Sequence, residues 1–250
     1  HPEKMKRTRF KKDIVSEFVI PNKPSNDVVI VLGGMPGIPK SKWLNFFSKH
    51  GYWTFLPRYR GSWESDGEFL QYSPEQDALD VISGISEGFV DIGSGEEFKL
   101  KPRNIYLIGS SFGGPAALLA AKDPRVNKVV AFYPVVDWTA ESHDEPLDLL
   151  YRFVKEGFGN GYRFQKENWD KLSKGDFYNP VKHENEIPGE KVLIIHAKDD
   201  ETVLWKPVQA FAKAVNCKLI LLESGGHGLH SLSFISKFIL YMRVLHFLRH

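Results

Sequence analysis

An apolar run at residues 105–108 ends in Gly109-Ser110-Ser111-Phe112-Gly113, and a stretch of small residues with Ala116, Ala117, Ala120 and Ala121 follows at once. A short, nearly continuous apolar run suits a strand covered on both faces, and small residues let a helix lie close against a sheet. The residues between them must reverse the chain in one sharp turn. Such a turn forces its middle residue into a strained backbone conformation and brings chain against chain on either side, where only glycine fits. The pattern therefore predicts a strand–turn–helix corner with the Ser111 hydroxyl projecting at the sheet edge. Ser110 does not fit that role, because Ile108 would then stand where the first glycine is needed.

Similar apolar runs recur at 28–32, 52–56, 129–132, 192–195 and 219–222, with helical patterns at 41–50, 73–88, 112–122, 206–215 and 230–248. Ser73, Pro74 and Gln76 read as an N-cap, a first-turn proline and a capping-box glutamine. The alternation predicts an α/β fold, a mostly parallel central sheet with helices on both faces. Residues 13–20 read as an extra strand at an edge. The basic residues before them, Lys4, Lys6, Arg7, Arg9, Lys11 and Lys12, read as a solvated leading segment. Residues 137–188 break the rhythm, are rich in aromatics and carry helical patches at 147–156 and 166–172. That is too long for a structureless loop inside a domain. The expectation is a single domain over 1–250 with a small helical cap inserted at about 137–188, above the C-terminal edge of the sheet.

Several function classes fall away. The chain has 250 residues and one cysteine, Cys217, so neither an intrachain disulfide nor a cysteine zinc finger is available. Basic and acidic residues number 33 and 31, which gives no field for nucleic acid. Residues 1–20 lack the apolar stretch of a signal peptide. Residues 229–249 are interrupted by His230, Lys237, Arg243 and His246 and fall short of a membrane span. No G-x-G-x-x-G follows a strand, and no histidines are spaced as paired metal ligands. The expectation is a cytoplasmic protein with no metal and no cofactor.

A serine hydroxyl becomes a nucleophile when a base takes its proton and a third group orients the base. His227, in Gly225-Gly226-His227-Gly228 after the run 219–222, is the candidate base; His230 falls inside the following helical pattern. Candidate acids are Asp199, Asp200 and Glu201 after the run 192–195, and Asp137 after the run 129–132. Adjacent loop residues point in different directions, so only one of Asp199 and Asp200 should reach His227. Gly33-Gly34-Met35-Pro36-Gly37 follows the run 28–32, and its glycines allow backbone N–H groups to face a developing oxyanion. Met35 and Phe112 are the expected donors.

These motifs, in this order, resemble the α/β-hydrolase superfamily of serine hydrolases across residues 13–249. Leu32-Gly33-Gly34-Met35-Pro36 aligns with the H-G-x-P loop, Gly33 replacing the histidine. Arg60-Gly61-Ser62-Trp63-Glu64-Ser65-Asp66-Gly67 is similar to R-G-x-G-x-S-x-G except at Trp63. His196 to Val203 is similar to H-G-x-x-D-x-x-V, with Ala197 for the glycine, and that register implies Asp200 as the acid. Pro57-Arg58-Tyr59-Arg60-Gly61 and the 33–37 loop look most like the prolyl-oligopeptidase catalytic domain and its stand-alone esterase relatives. Full-length prolyl oligopeptidases add a propeller that 250 residues do not accommodate, and the oxyanion tyrosine of many of them has no counterpart between Leu32 and Pro39. The resemblance implies a serine hydrolase acting on a small ester, amide or short peptide. Ser111, His227 and Asp200 would form an acyl-enzyme, with Met35 and Phe112 as oxyanion donors. Transfer of the acyl group to an alcohol or thiol, or silent ligand binding, are the alternatives on the same fold. Trp138 and Tyr151 are the expected pocket-facing aromatics, and Glu141, Asp144 and Glu145 are candidate partners for a basic substrate group.

Overall fold

The structure is a computed structural model and describes residues 5–39, 42–140, 142 and 146–250. One sheet runs, edge to edge, through β1 (Lys6–Phe10), β2 (Ile14–Val19), β4 (Trp53–Pro57), β3 (Asp27–Leu32), β7 (Asn104–Ser110), β8 (Lys128–Phe132), β9 (Val192–Ala197) and β10 (Lys218–Leu222). β2 is antiparallel to both neighbours, and every other pair is parallel. Phe89–Val90 (β5) and Glu97–Phe98 (β6) form a separate antiparallel pair.

The continuous apolar runs divide residue by residue between two cores, because successive strand side chains point to opposite faces. Val28, Ile30 and Leu32 join one core, and Val29 and Val31 the other; Val192 and Ile194 oppose Leu193 and Ile195 in the same way. The first face is covered by α2 (Glu75–Glu87), α3 (Gly113–Ala120) and α6 (Trp205–Ala214). The second is covered by α1 (Lys42–Lys49) and α7 (Phe234–Arg249). Each fully buried large side chain, such as Phe55 or Phe211, is worth about 1.5–3 kcal/mol of transfer free energy.

Three local expectations are corrected. Lys4 lies outside the described residues, and the basic residues that follow are not a solvated arm: Lys6–Phe10 is the edge strand, so residues 14–19 lie second. Its charges meet acids, Lys6 with Glu96 at 2.8 Å and Arg7 with Glu17 at 2.9 Å, while Thr8 and Phe10 are buried. The capping box does not form. Ser73 Oγ donates to the Glu75 carboxylate and Gln76 Nε2 to Asp80 Oδ1. His230 lies outside α7, whose N-cap is Ser233, accepting from Ser236 N–H at 3.1 Å.

Between β8 and β9 the chain builds α4 (Leu147–Phe158) and α5 (Lys166–Ser173). This segment is stitched to the loop after β4. Trp63 N–H donates to Gly161 O (2.8 Å), Arg163 N–H to Gly61 O (2.7 Å) and Phe69 N–H to Arg163 O (2.7 Å). Phe69 meets Tyr162 and Phe164 edge-to-face, with ring centroids 5.1 and 5.9 Å away. Most of the aromatics therefore anchor the segment to the core. Among the described residues no helix is long and apolar enough to cross a membrane.

Candidate active site

β7 delivers the chain to Ser111 at φ 51°, a left-handed conformation for a residue with a side chain. The two flanking glycines are sterically required. A Cβ on Gly109 would sit 2.3 Å from Gly113 O, and one on Gly113 would sit 2.2 Å from Leu32 O. Ser111 is locked by its own backbone: its N–H donates to Phe132 O at 2.9 Å, and its carbonyl accepts from Gly114 N–H at 2.9 Å.

His227 Nε2 lies 3.0 Å from Ser111 Oγ, and Nδ1 lies 2.9 Å from Asp200 Oδ2. An ionised carboxylate only accepts, so Nδ1 carries the proton and Nε2 is left to accept from the serine hydroxyl. The Asp200 side chain is fully buried. Its Oδ1 accepts from the N–H groups of Thr202 (3.0 Å) and Val203 (2.9 Å), which aims Oδ2 at the imidazole. Behind it, the buried His196 donates from Nε2 to Val203 O at 2.8 Å and so braces the same loop.

Asp199 turns the other way and takes the N–H groups of Gly225 (3.1 Å) and Gly226 (2.8 Å), fastening the loop that carries His227. The Gly226 bond in particular holds its carboxyl below the ordinary range. Glu201 is exposed. Asp137 is engaged by Thr139 and Asn179, away from the imidazole. The Tyr133 ring stands 4.9 Å from His227, and burial pushes its phenol up to about 12.

Among the described residues, neither the Met35 nor the Phe112 N–H donates to another protein group. Phe112 precedes α3, and the Met35 loop abuts Ser111, since a Cβ on Gly34 would lie 3.3 Å from Ser111 Cβ. Sequence reasoning missed the side chains that hold this loop. Tyr59 Oη donates to Gly33 O (2.8 Å), Trp63 Nε1 donates to Gly37 O (3.0 Å), and Gly37 N–H donates to Tyr162 Oη (3.1 Å). Trp63 was visible as the departure from the R-G-x-G pattern, and Tyr59 stood inside the matched motif at 57–61, but nothing in the sequence marked either tyrosine as a brace for this loop. Tyr178 was missed as well: its hydroxyl enters the first turn of α3, donating to Phe112 O and accepting from Ala116 N–H. The arginines of the matched motif are structural. Arg58 pairs with Glu17 and Glu64, and Arg60 with Asp13, Asp77 and Asp80.

Two cavities share Met35 and Ser111 as a common wall. One, of about 340 Å³, is lined by His227, Tyr133, Trp43, Trp63, Phe153 and Tyr162. The other, of about 460 Å³, is lined by Phe112, Trp138, Leu147, Leu150, Val203 and Val208, with Asp137. Trp138 lines the second cavity, its Nε1 donating to Tyr178 O at 2.8 Å. Tyr151 lines neither. It packs on Phe164 and Trp169, each 5.9 Å away, and Leu150 one residue earlier takes the position expected for it. Glu141, Asp144 and Glu145 lie outside the described residues. Among the described residues no cluster of His, Cys, Asp and Glu suits a metal ion.

The model of the prolyl oligopeptidase family matches residues 40–250. An uncharacterized 31.7 kDa protein from the traX-finO intergenic region of Escherichia coli is 27% identical over 197 residues. The match covers 72% of this chain and 64% of that protein, so the chain spans less than two thirds of its curated relative. Among solved structures, the esterase Pf2001 of Pyrococcus furiosus superposes with a TM-score of 0.70 at 17% identity, covering 99% of this chain and 90% of that one. The Pyrococcus horikoshii acylaminoacyl peptidase superposes with a TM-score of 0.69 at 16% identity, covering 98% of this chain and 42% of that one. At such identities the likeness is one of fold, the α/β-hydrolase fold expected from the motifs.

Proposed function

The chain belongs to the prolyl oligopeptidase family of serine hydrolases, and on that premise we propose that it cleaves a small carboxylic ester, amide or short peptide through Ser111, His227 and Asp200. The observation that carries this reading is the hydrogen-bonded line from Ser111 Oγ through His227 to the buried Asp200, beside two uncommitted N–H groups. Ser111 Oγ attacks the substrate carbonyl carbon while its proton passes to His227 Nε2. Asp200 keeps the Nδ1 proton in place and stabilises the imidazolium. The carbonyl oxygen, now an oxyanion, accepts from the Met35 and Phe112 N–H groups. Losing one such donor costs about 10²–10³ in rate.

The tetrahedral adduct collapses as Nε2 gives its proton to the leaving oxygen or nitrogen. The bond from carbonyl carbon to leaving group breaks, and the acyl group remains esterified to Ser111. Water then attacks with His227 as base. The Ser111 ester bond breaks, the serine regains its proton, and the carboxylic acid departs. The fold's neighbours include an esterase and an acylaminoacyl peptidase, so both ester and amide leaving groups lie within the range considered.

The test is labelling with a fluorophosphonate, read by intact mass and peptide mapping. One adduct is expected on the peptide containing Ser111 and none in Ser111→Ala. A folded protein that takes no label, or that is labelled equally without Ser111, refutes the assignment.

A further inference from the structure

The two cavities flanking Ser111 become unequal once the chemistry is drawn, a step that rests on the function proposed above. His227 Nε2 must reach the leaving group to protonate it, so the leaving group lies on the imidazole side of Ser111. His227 lines the cavity of about 340 Å³ and is absent from the lining of the one of about 460 Å³. The larger cavity is left for the acyl part of the substrate. Its wall is mostly apolar, with Trp138, Leu147, Leu150 and Val208, yet Asp137 is among the residues that line it.

Asp137 is oriented in an unusual way. All three hydrogen bonds that it accepts, from Thr139 N–H (2.9 Å), Thr139 Oγ1 (2.8 Å) and Asn179 Nδ2 (3.1 Å), fall on Oδ1. Among the described residues Oδ2 takes no hydrogen bond and no ion pair. Burial works against the charge, but the bonds from Thr139 and Asn179, with the Lys182 ammonium nearby, outweigh it and hold the carboxyl below its ordinary value. The group is therefore ionised at neutral pH. A local turn needs only Oδ1, which an asparagine supplies equally well. The turn thus accounts for one oxygen; the Lys182 ammonium favours the charge from a distance but pairs with Asp176, so Oδ2 is left without a direct partner among the described residues. A half-buried carboxylate held rigid in an apolar wall attracts a cation far more strongly than one in open water.

We propose that the acyl group of the substrate carries a positive charge that pairs with Asp137 at the wall of the larger cavity. The same chemistry is offered by the α-ammonium of an aminoacyl group and by a lysine or arginine side chain next to the scissile carbonyl. Asp137 acts as a specificity-determining residue and does not touch the reacting atoms.

The experiment compares the wild-type chain and Asp137→Asn on the ethyl esters of leucine, Nα-acetyl-leucine and Nα-acetyl-lysine, followed by pH-stat. The substitution keeps the Oδ1 acceptor, removes the charge and turns the free Oδ2 into an NH2 donor that cannot pair with a cation. The expected result is a loss of about 10- to 100-fold in kcat/KM, the range for a hydrogen bond to a charged group, on a cationic ester. The loss should fall mainly on KM, with Nα-acetyl-leucine ethyl ester unchanged. A loss confined to the leucine ester assigns the α-ammonium, and one confined to the Nα-acetyl-lysine ester assigns the side chain. Equal losses on all three esters, or none on any, overturn the proposal while leaving Ser111 as nucleophile. Wild-type protein that hydrolyses no ester and takes no fluorophosphonate overturns both readings together.

Discussion

Replacing Gly113 with alanine tests whether close backbone contact at the corner is what aligns the proposed oxyanion donors. The new Cβ would lie 2.2 Å from Leu32 O and 2.7 Å from Gly33 O. Ordinary contact begins more than ~1 Å further out, so the backbone leading to Met35 must retreat by about that distance. Overpacking of this kind costs about 1–3 kcal/mol of stability. A misplacement of ~1 Å at a reacting centre costs about 10²-fold in rate, comparable to losing one donor. The assay is kcat on a p-nitrophenyl ester, with the rate of fluorophosphonate labelling and the thermal midpoint measured on the same samples. Gly33→Ala is the control in the same loop, since nothing lies within 4 Å of its added Cβ. It should hold kcat within about threefold, as unobstructed substitutions do. A folded Gly113→Ala protein with wild-type kcat would refute the reasoning, as would equal damage from Gly33→Ala.

Three further outcomes are expected. Asp200→Asn should lower kcat by about 10⁴, because the amide cannot hold Nδ1 protonated in the same way. Asp199→Asn, which keeps an acceptor for the Gly226 N–H, should stay within about tenfold; the two are separated by kcat/KM on one ester. His196 is buried, which pushes its pKa below the ordinary 6.5. The folded protein then binds fewer protons than the unfolded chain as pH falls below about 6.5, so this group contributes stability above that pH and loses it on acidification. Urea midpoints measured from pH 7.5 to 5 should therefore fall less steeply in His196→Gln than in the wild type.

The inner strands were legible because burial on both faces writes an unbroken apolar run, as in Val28–Val31. β1 was hidden because its buried residues, Thr8 and Phe10, alternate with charges that find acids only in the folded chain, from Glu17 to Asp91 and Glu96. The corner at Ser111 was readable from steric need alone. The choice between Asp199 and Asp200 was not. Both follow one strand, and only the register of the matched motif separated them. The geometry supplies the physical reason: Thr202 and Val203 turn one carboxylate toward the imidazole, while the other takes the Gly225 and Gly226 N–H groups. The orientation of α4 was equally silent. Leu147, Leu150 and Tyr151 all fit one apolar stripe, and a rotation smaller than one residue step decides which of them meets the cavity.

The hydrogen bond from Gly37 N–H to Tyr162 Oη joins the loop that carries Met35 to the segment between β8 and β9. The Trp63 ring meets the same tyrosine edge-to-face, and its indole N–H holds the Gly37 carbonyl. One segment thus lines both cavities and also steadies the loop that carries Met35, the proposed oxyanion donor. On the proposed function, selectivity and turnover are then mechanically linked. An engineer who grafts a foreign segment here to admit new substrates also loosens the anchor at Gly37, and variants chosen for breadth will lose speed unless Tyr162 and its partner at Trp63 are carried along.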